Sequence, residues 1–175
     1  IKCINSPEWS DFHLDMLSFP RFCINPPEWP VMYLDALPKF KTIVESMLIY
    51  KCDLPTNNSL GEITQTLGIT RVKKLVFQSY KNLSFALVKH HLDDLKNLKS
   101  LSLPNNNLSY ADKDLLAGLV NLTDLNLRDN NLHQVTGFFN YTPGLQFLEL
   151  GDNALQSIEP GTFDNLKNLL ILKLS

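Results

Sequence analysis

The groups in this 175-residue chain that could take part in bond-making chemistry are few: three Cys, four His and eighteen acidic side chains. Their spacing limits what they can do. The cysteines stand at 3, 23 and 52, no CxxC or HxxxH pair occurs, and a metal site is therefore not expected. His90 and His91 are neighbours on a predicted helix, so their rings diverge and both are expected to be solvated. Acid pairs such as Asp93 with Asp94 fit a charged helix surface. The seven Gly are scattered, and no GxSxG, HExxH or Walker sequence is present. The sequence thus predicts no catalytic residue, no metal, no cofactor and no enzymatic activity.

Cysteine chemistry of another kind remains, because three thiols imply one disulfide and one Cys with a partner elsewhere. Cys23 with Cys52 is the favoured pair, which leaves Cys3 for a Cys upstream of Ile1; a free, buried Cys52 thiol is the competing reading. Five Asn-x-Ser/Thr sequons, at Asn57, Asn82, Asn107, Asn121 and Asn140, favour an extracellular or luminal compartment. Net charge is -2 with a sequence pI of about 6.1, so a general nucleic-acid interaction is not expected. No apolar run reaches the length of a membrane span, and Ile1 is not followed by a signal-peptide pattern. No membrane contact is expected of this stretch, and any leader or span would lie outside it.

The elements that position these groups show in the leucines: 22 of the 33 Leu follow residue 91. Leu98, Leu101, Leu103, Asn106 and Leu108 recur as Leu122, Leu125, Leu127, Asn130 and Leu132, and again as Leu145, Leu148, Leu150, Asn153 and Leu155. Leu169, Leu172 and Leu174 begin a further copy. The register LxxLxLxxNxL with a period of 23 or 24 residues is that of leucine-rich repeats. Its geometry predicts an α/β solenoid. Each xLxLx segment is a short strand with alternate leucines inward, paired in parallel with its neighbours into a curved concave sheet. The Asn side chain, with both a donor and an acceptor, can satisfy backbone groups of its own and the adjacent coil, so Asn106, Asn130 and Asn153 are predicted to form a ladder. Leu116 and Leu119, or Ile158, Phe163 and Leu166, would close the core from the convex side.

Weaker copies extend the pattern backwards. Val72, Leu75 and Phe77 fill the strand positions of one coil, and Val44, Met47, Ile49, Cys52 and Leu54 those of another. Short helices are predicted over 60–67 and 83–95, with a third from an Asp112 N-cap to Leu119. Residues 1–43 do not fit the template and read as an N-terminal cap, 44–175 as about five coils and the strand of a sixth. Within the cap a Pro-Glu-Trp segment around Trp9 is repeated around Trp29, which would cover the open end of the solenoid. The chain stops at Ser175 inside a strand, from which a continuation, or poor behaviour of an isolated piece, is expected.

By alternation the outward strand positions include Leu48, Tyr50, Val76, Gln78, Ser102, Pro104, Asn126, Arg128, Glu149 and Gly151. Such a face is a protein-binding surface. Its first strands offer apolar and aromatic groups and its later ones polar and charged groups, an apolar spot beside a polar rim. The candidate ligand-binding residues are Tyr50, Val76, Gln78, Ser102, Pro104, Asn126, Arg128 and Glu149.

The stretch from Met47 to Leu103 also resembles the N-terminal ectodomain of the invertebrate Toll receptor family. The matching features are Cys-x-Leu-Pro at 52–55, Leu-Gly-Ile at 67–69, Leu-x-Phe at 75–77 and His-Leu-Asp-x-Leu at 91–95. The spacing of Cys3, Cys23 and Cys52 is similar to the last three Cys of that family's cap, and the Pro-Glu-Trp duplication is a departure from it. The resemblance implies the cell-surface ectodomain of a single-pass innate-immune or developmental receptor. Its implied ligand is a dimeric cystine-knot cytokine of the Spätzle type, bound through the concave face and one flank, with receptor pairing on binding. An adhesion or matrix protein and a direct microbial-pattern receptor are the alternatives.

Overall fold

The computed structural model describes residues 21–22, 45–50, 59–66, 68–69, 71–78, 88–109 and 112–175. Among these, seven strands form one parallel sheet in chain order. They are β1 (Arg21–Phe22), β2 (Ser46–Tyr50), β3 (Lys74–Gln78), β4 (Ser100–Ser102), β5 (Asp124–Asn126), β6 (Phe147–Glu149) and β7 (Ile171–Lys173). Met47, Leu75, Leu101, Leu125, Leu148 and Leu172 stand opposite one another across β2 to β7, the register that the leucine spacing predicts. β1 adds a parallel strand from within the stretch read as the cap, with Arg21 opposite Leu48. The three Cys, and with them the expected disulfide, lie outside the described residues, as do both Trp.

The core is one continuous cluster running along the solenoid, with Leu98, Leu101, Leu103, Leu122, Leu125, Leu127, Leu145 and Leu148 fully buried. Leu116, Leu119 and Leu166 close it from the convex side, and Phe163 is packed against it. Ile158 does not join them. Its counterpart one coil earlier, Val135, is buried, whereas Ile158 is 37% exposed.

The convex side holds less helix than the sequence predicts. α1 (Leu60–Thr66) forms where the first helix is expected. The Ser59 hydroxyl accepts the Glu62 N–H and the Glu62 carboxylate accepts the Ser59 N–H, each at 3.0 Å, a reciprocal cap that sets its start. Gly68, at φ +75°, turns the chain out of it. Of the second expected helix, residues 83–87 lie outside the described part, and the rest holds one 3₁₀ turn, Lys89–Leu92, which Asp93 ends in extended backbone and Asp94 in the left-handed region at φ +66°. The third is a run of turns closed by i to i+3 hydrogen bonds, such as Leu115 N–H to Asp112 O and Ala117 N–H to Asp114 O. Asp112 still caps the first turn, its Oδ1 accepting the Asp114 N–H at 3.1 Å. A coil of 23 or 24 residues leaves too little chain for a real helix once strand and asparagine turn are made.

Candidate protein-binding face

The concave surface carries three outward positions per strand, and the ladder sets them in columns. One column runs Leu48, Val76, Ser102, Asn126, Glu149 and Lys173, each opposite the next. Tyr50 stands opposite Gln78 in the adjoining column, which continues through Pro104 and Arg128. The sheet therefore brings the sequence-predicted candidates onto one face, but not with equal access. Leu48, Val76, Ser102, Pro104 and Asn126 are half-buried and Arg128 is exposed. Gln78 and Glu149 are each only 5% exposed.

Glu149 is buried because it serves its own coil. Its Oε1 accepts the Gly151 N–H at 3.0 Å, and Lys173 Nζ lies 3.6 Å from its Oε2 and 5.5 Å from the centre of the Phe147 ring. Asn126 does the same one coil earlier, its Oδ1 accepting the Arg128 N–H at 2.9 Å. Both side chains fold back on the residue two positions later, leaving less of them for a partner. A Cβ on Gly151 would collide with the Ser175 carbonyl oxygen, so glycine is what lets the neighbouring backbone approach there.

The charges that follow β5 and β6 are paired. Arg128 Nη2 lies 2.6 Å from Asp152 Oδ2 and its Nε 3.6 Å from Asp129 Oδ2. The hydrogen bond to Asp152, then the charges around it, raises the guanidinium above its ordinary value. Asp129 and Asp152 occupy the left-handed region, at φ +53° and +52°, as does Asn105 at the same register. Short Asn and Asp side chains tolerate that conformation, which turns the chain from strand to asparagine ladder. The face thus combines half-buried aliphatic groups on β2 and β3 with a network of paired charges on β5 to β7.

The ladder forms as predicted. Asn130 Oδ1 accepts the N–H groups of Asn106 and Leu108 at 3.0 and 3.1 Å, while its Nδ2 donates to the Leu103 and Leu127 carbonyls at 2.8 and 2.9 Å. Asn106 Nδ2 reaches back to Phe77 O, and Asn153 repeats the pattern toward Leu127, Leu150 and Leu132. A second set of amide links escapes the sequence reading. Asn121 Nδ2 donates to Lys96 O and Asn168 Nδ2 to Pro143 O, each at 2.9 Å, tying successive coils along the opposite turn. Its signal is an Asn just before the first leucine of a repeat, at 97, 121 and 168.

Of the sequons, Asn107, Asn121 and Asn140 are exposed, whereas Asn57 and Asn82 lie outside the described residues. His91 corrects an expectation: it is 5% exposed, and its Nδ1 accepts the Val88 N–H at 3.1 Å. Burial, the largest cause, pushes its imidazole below the usual histidine range, opposed by the backbone hydrogen bond at Val88 and helped by the neighbouring His90. No group of three or more His, Cys, Asp or Glu among the described residues is arranged to hold a metal ion.

The sheet, its inward leucines and its asparagine ladder define a leucine-rich repeat solenoid, and residues 135–175 match the leucine-rich repeat family. Within that class the chain is similar to Toll-type ectodomains. Over 122 residues it is 31% identical to Protein toll of Drosophila melanogaster, covering 69% of this chain and 11% of that protein. Over 99 residues it is 34% identical to Toll-like receptor 7 of Mus musculus, covering 52% of this chain and 9% of that protein. The solved Drosophila Toll–Spatzle complex in its glycosylated form shares the fold with a TM-score of 0.71 at 24% identity, over 89% of this chain and 21% of that one. The chain thus spans about a tenth of the length of these relatives, as a leucine-rich repeat segment similar to their ectodomains.

Proposed function

We propose that this segment is the ligand-binding N-terminal part of a Toll-type receptor ectodomain. Residues 1–43 serve as its cap and 44–175 as its repeats, and it faces the outside of the cell. Its ligand is a dimeric cystine-knot cytokine of the Spätzle type, taken by the concave face and an adjoining flank, and binding favours pairing of two receptors. The observation that carries this reading is the concave sheet itself, whose half-buried Leu48 and Val76 on β2 and β3 share one face with the ion pairs Arg128–Asp152 and Lys173–Glu149 further along it. Such a surface suits a folded protein partner, with a desolvated apolar centre and a charged rim. Similarity to Protein toll, and the fold shared with a Toll bound to Spatzle, support the choice of ligand.

Titration of the secreted, disulfide-intact chain with a processed cytokine dimer, followed by calorimetry and by mass in solution, tests this. Saturable binding is expected, with a stoichiometry that distinguishes one receptor per dimer from two. Replacing Tyr50→Ala together with Arg128→Glu weakens it by about tenfold or more if these side chains contact the ligand. Unchanged affinity in that variant would move the site off the concave face. No binding by folded chain would withdraw the cytokine assignment and favour an adhesion role.

A further inference from the structure

The net charge of -2 conceals a division along the solenoid. Residues 71–99 carry seven Lys or Arg against two Asp, whereas residues 100–175 carry four against eight acidic side chains. The basic stretch opens on Arg71, Lys73 and Lys74 and closes on Lys96 and Lys99. Buried Val72 and Leu98 hold the same place in their two coils, so the cations on either side of them stand together on the flank where β3 and β4 start. The Lys99 N–H donates to the Lys73 carbonyl at 2.7 Å and Lys74 stands opposite Ser100, which sets the two segments side by side, about 5 Å apart. Arg71, Lys73, Lys96 and Lys99 are exposed and Lys74 is half-buried.

Ion pairing does not cancel this excess. Lys73 Nζ lies 2.6 Å from Glu45 Oε1, and Lys89 and His90 share Asp93. Arg71, Lys96 and Lys99 form no ion pair among the described residues. The other acids near them are Asp94, two residues before Lys96, and Asp124, opposite Ser100, whose Oδ2 accepts the Thr123 hydroxyl at 2.6 Å. Hydroxyls lie between the cations, since Ser46, Ser100 and Thr123 stand in the two columns that hold Lys73, Lys74 and Lys99. From Glu45 and Ser46 to Thr123 and Asp124 these columns carry no aromatic side chain. Single-stranded nucleic acid gains affinity from bases stacked on aromatic rings, and a bilayer surface from apolar side chains inserted into it. Cations interleaved with hydroxyls match instead a chain of sugar rings that carry sulfate groups.

We propose that this flank binds a sulfated polysaccharide, with sulfate groups on Arg71, Lys96 and Lys99 and ring hydroxyls on Ser46 and Ser100. Arg71 can take a sulfate through two parallel N–H groups, and the two lysines act as point charges. Lys73 and Lys74 add to the positive field. The column of Ser46, Lys74 and Ser100 borders that of Leu48 and Val76, so a polysaccharide seated here runs along the edge of the concave face and leaves its apolar spot open. The proposal rests on the extracellular reading above, not on the identity of the protein ligand.

The test is titration of the secreted, disulfide-intact chain with a heparin octasaccharide, the same sugar stripped of sulfate, single-stranded DNA of equal charge and vesicles containing phosphatidylserine. Saturable binding of the heparin octasaccharide is expected, and raising salt from about 0.1 to about 0.3 M should weaken it about tenfold if three cations are engaged. Arg71→Ala with Lys99→Ala should weaken it about tenfold or more. The charge-preserving pair Arg71→Lys with Lys99→Arg, and Lys113→Ala at an exposed position outside the flank, should stay within about threefold of the parent. No binding of heparin by chain that still takes the cytokine dimer overturns the proposal and leaves the receptor reading intact. Equal binding of the desulfated sugar, the DNA or the vesicles overturns it in favour of that partner, and an alanine pair that binds like the parent moves the site off this flank and overturns it too. A folded chain that takes neither heparin nor the cytokine overturns both.

Discussion

Among the described residues, the two halves of the repeat array show different contacts between their coils. From Leu98 onward, with partners 24, 23 and 24 residues apart, the convex side is only turns and the coils are joined by side-chain amides. Before it, with partners 28 and 26 apart, there is room for α1 and the 3₁₀ turn, and these pack on each other. Gly61 marks how closely: a Cβ there would collide with the Asp93 carbonyl oxygen and Asp94 Cβ. A solenoid coil can therefore be pinned by hydrogen bonds from a repeated asparagine or by direct packing of convex elements. Asn106 Nδ2, bonded to Phe77 O, carries the amide link back to the coil of β3, where the two means meet.

Asn130→Ala should be the most damaging change that tests this contrast. It orphans the N–H groups of Asn106 and Leu108 and the carbonyls of Leu103 and Leu127. A loss of roughly 2–5 kcal/mol in denaturant unfolding is expected. Asn130→Asp keeps the acceptor and loses the donors, so its cost should fall between parent and alanine. If alanine costs no more than an exposed substitution, the ladder is a consequence of the coil geometry rather than its support.

Gly61→Ala probes the first half by the opposite route, through overpacking. Because the obstruction is backbone, one of the two elements must shift, at a cost of about 1–3 kcal/mol. Amide hydrogen exchange should quicken at Lys89–Leu92 and leave β5 unchanged if each coil answers mainly to its neighbours. Equal quickening at Leu125 would show instead that both halves open as one unit.

Much of this division can be read from the amino-acid order. Leucines two apart followed by Asn fixed β4, β5 and β6, the weaker sets Met47 with Ile49 and Leu75 with Phe77 gave β2 and β3 by spacing, and the 28- and 26-residue gaps made room for helix. Burial of outward residues was harder to foresee. Alternation places Glu149 on the open face, but whether its carboxylate meets solvent depends on a residue two positions later and on Lys173 one strand away. The second amide ladder was hidden for a related reason. Asn121 belongs to a sequon and reads as surface, and its link to Lys96 appears only when two coils are stacked. Ile158 was placed in the core by its period, which carries no information about what packs beyond it.

His91 offers the finest test, because it gives the first half a sensitivity to acid that the amide-linked coils do not share. Its imidazole is buried on the 3₁₀ turn, where it accepts a hydrogen bond from the Val88 N–H, and burial favours the neutral ring. Desolvation lowers its pKa from the usual 6.5 in the folded state. The unfolded chain then takes up a proton before the folded one does. The stabilisation is complete above pH 6.5 and is lost as pH falls from 6.5 toward the lowered folded value. The groups facing the ring's turn include His90, half-exposed, and Asp93, which lies 3.6 Å from the His90 Nδ1. A proton on His90 would deepen the effect by repulsion. Unfolding free energy measured between pH 7.5 and 5.5, where carboxylates stay ionised, should decline for the parent and stay flatter for His91→Gln. Parallel curves would mean that His91 takes up its proton as readily folded as unfolded, and that acid sensitivity does not distinguish the two halves.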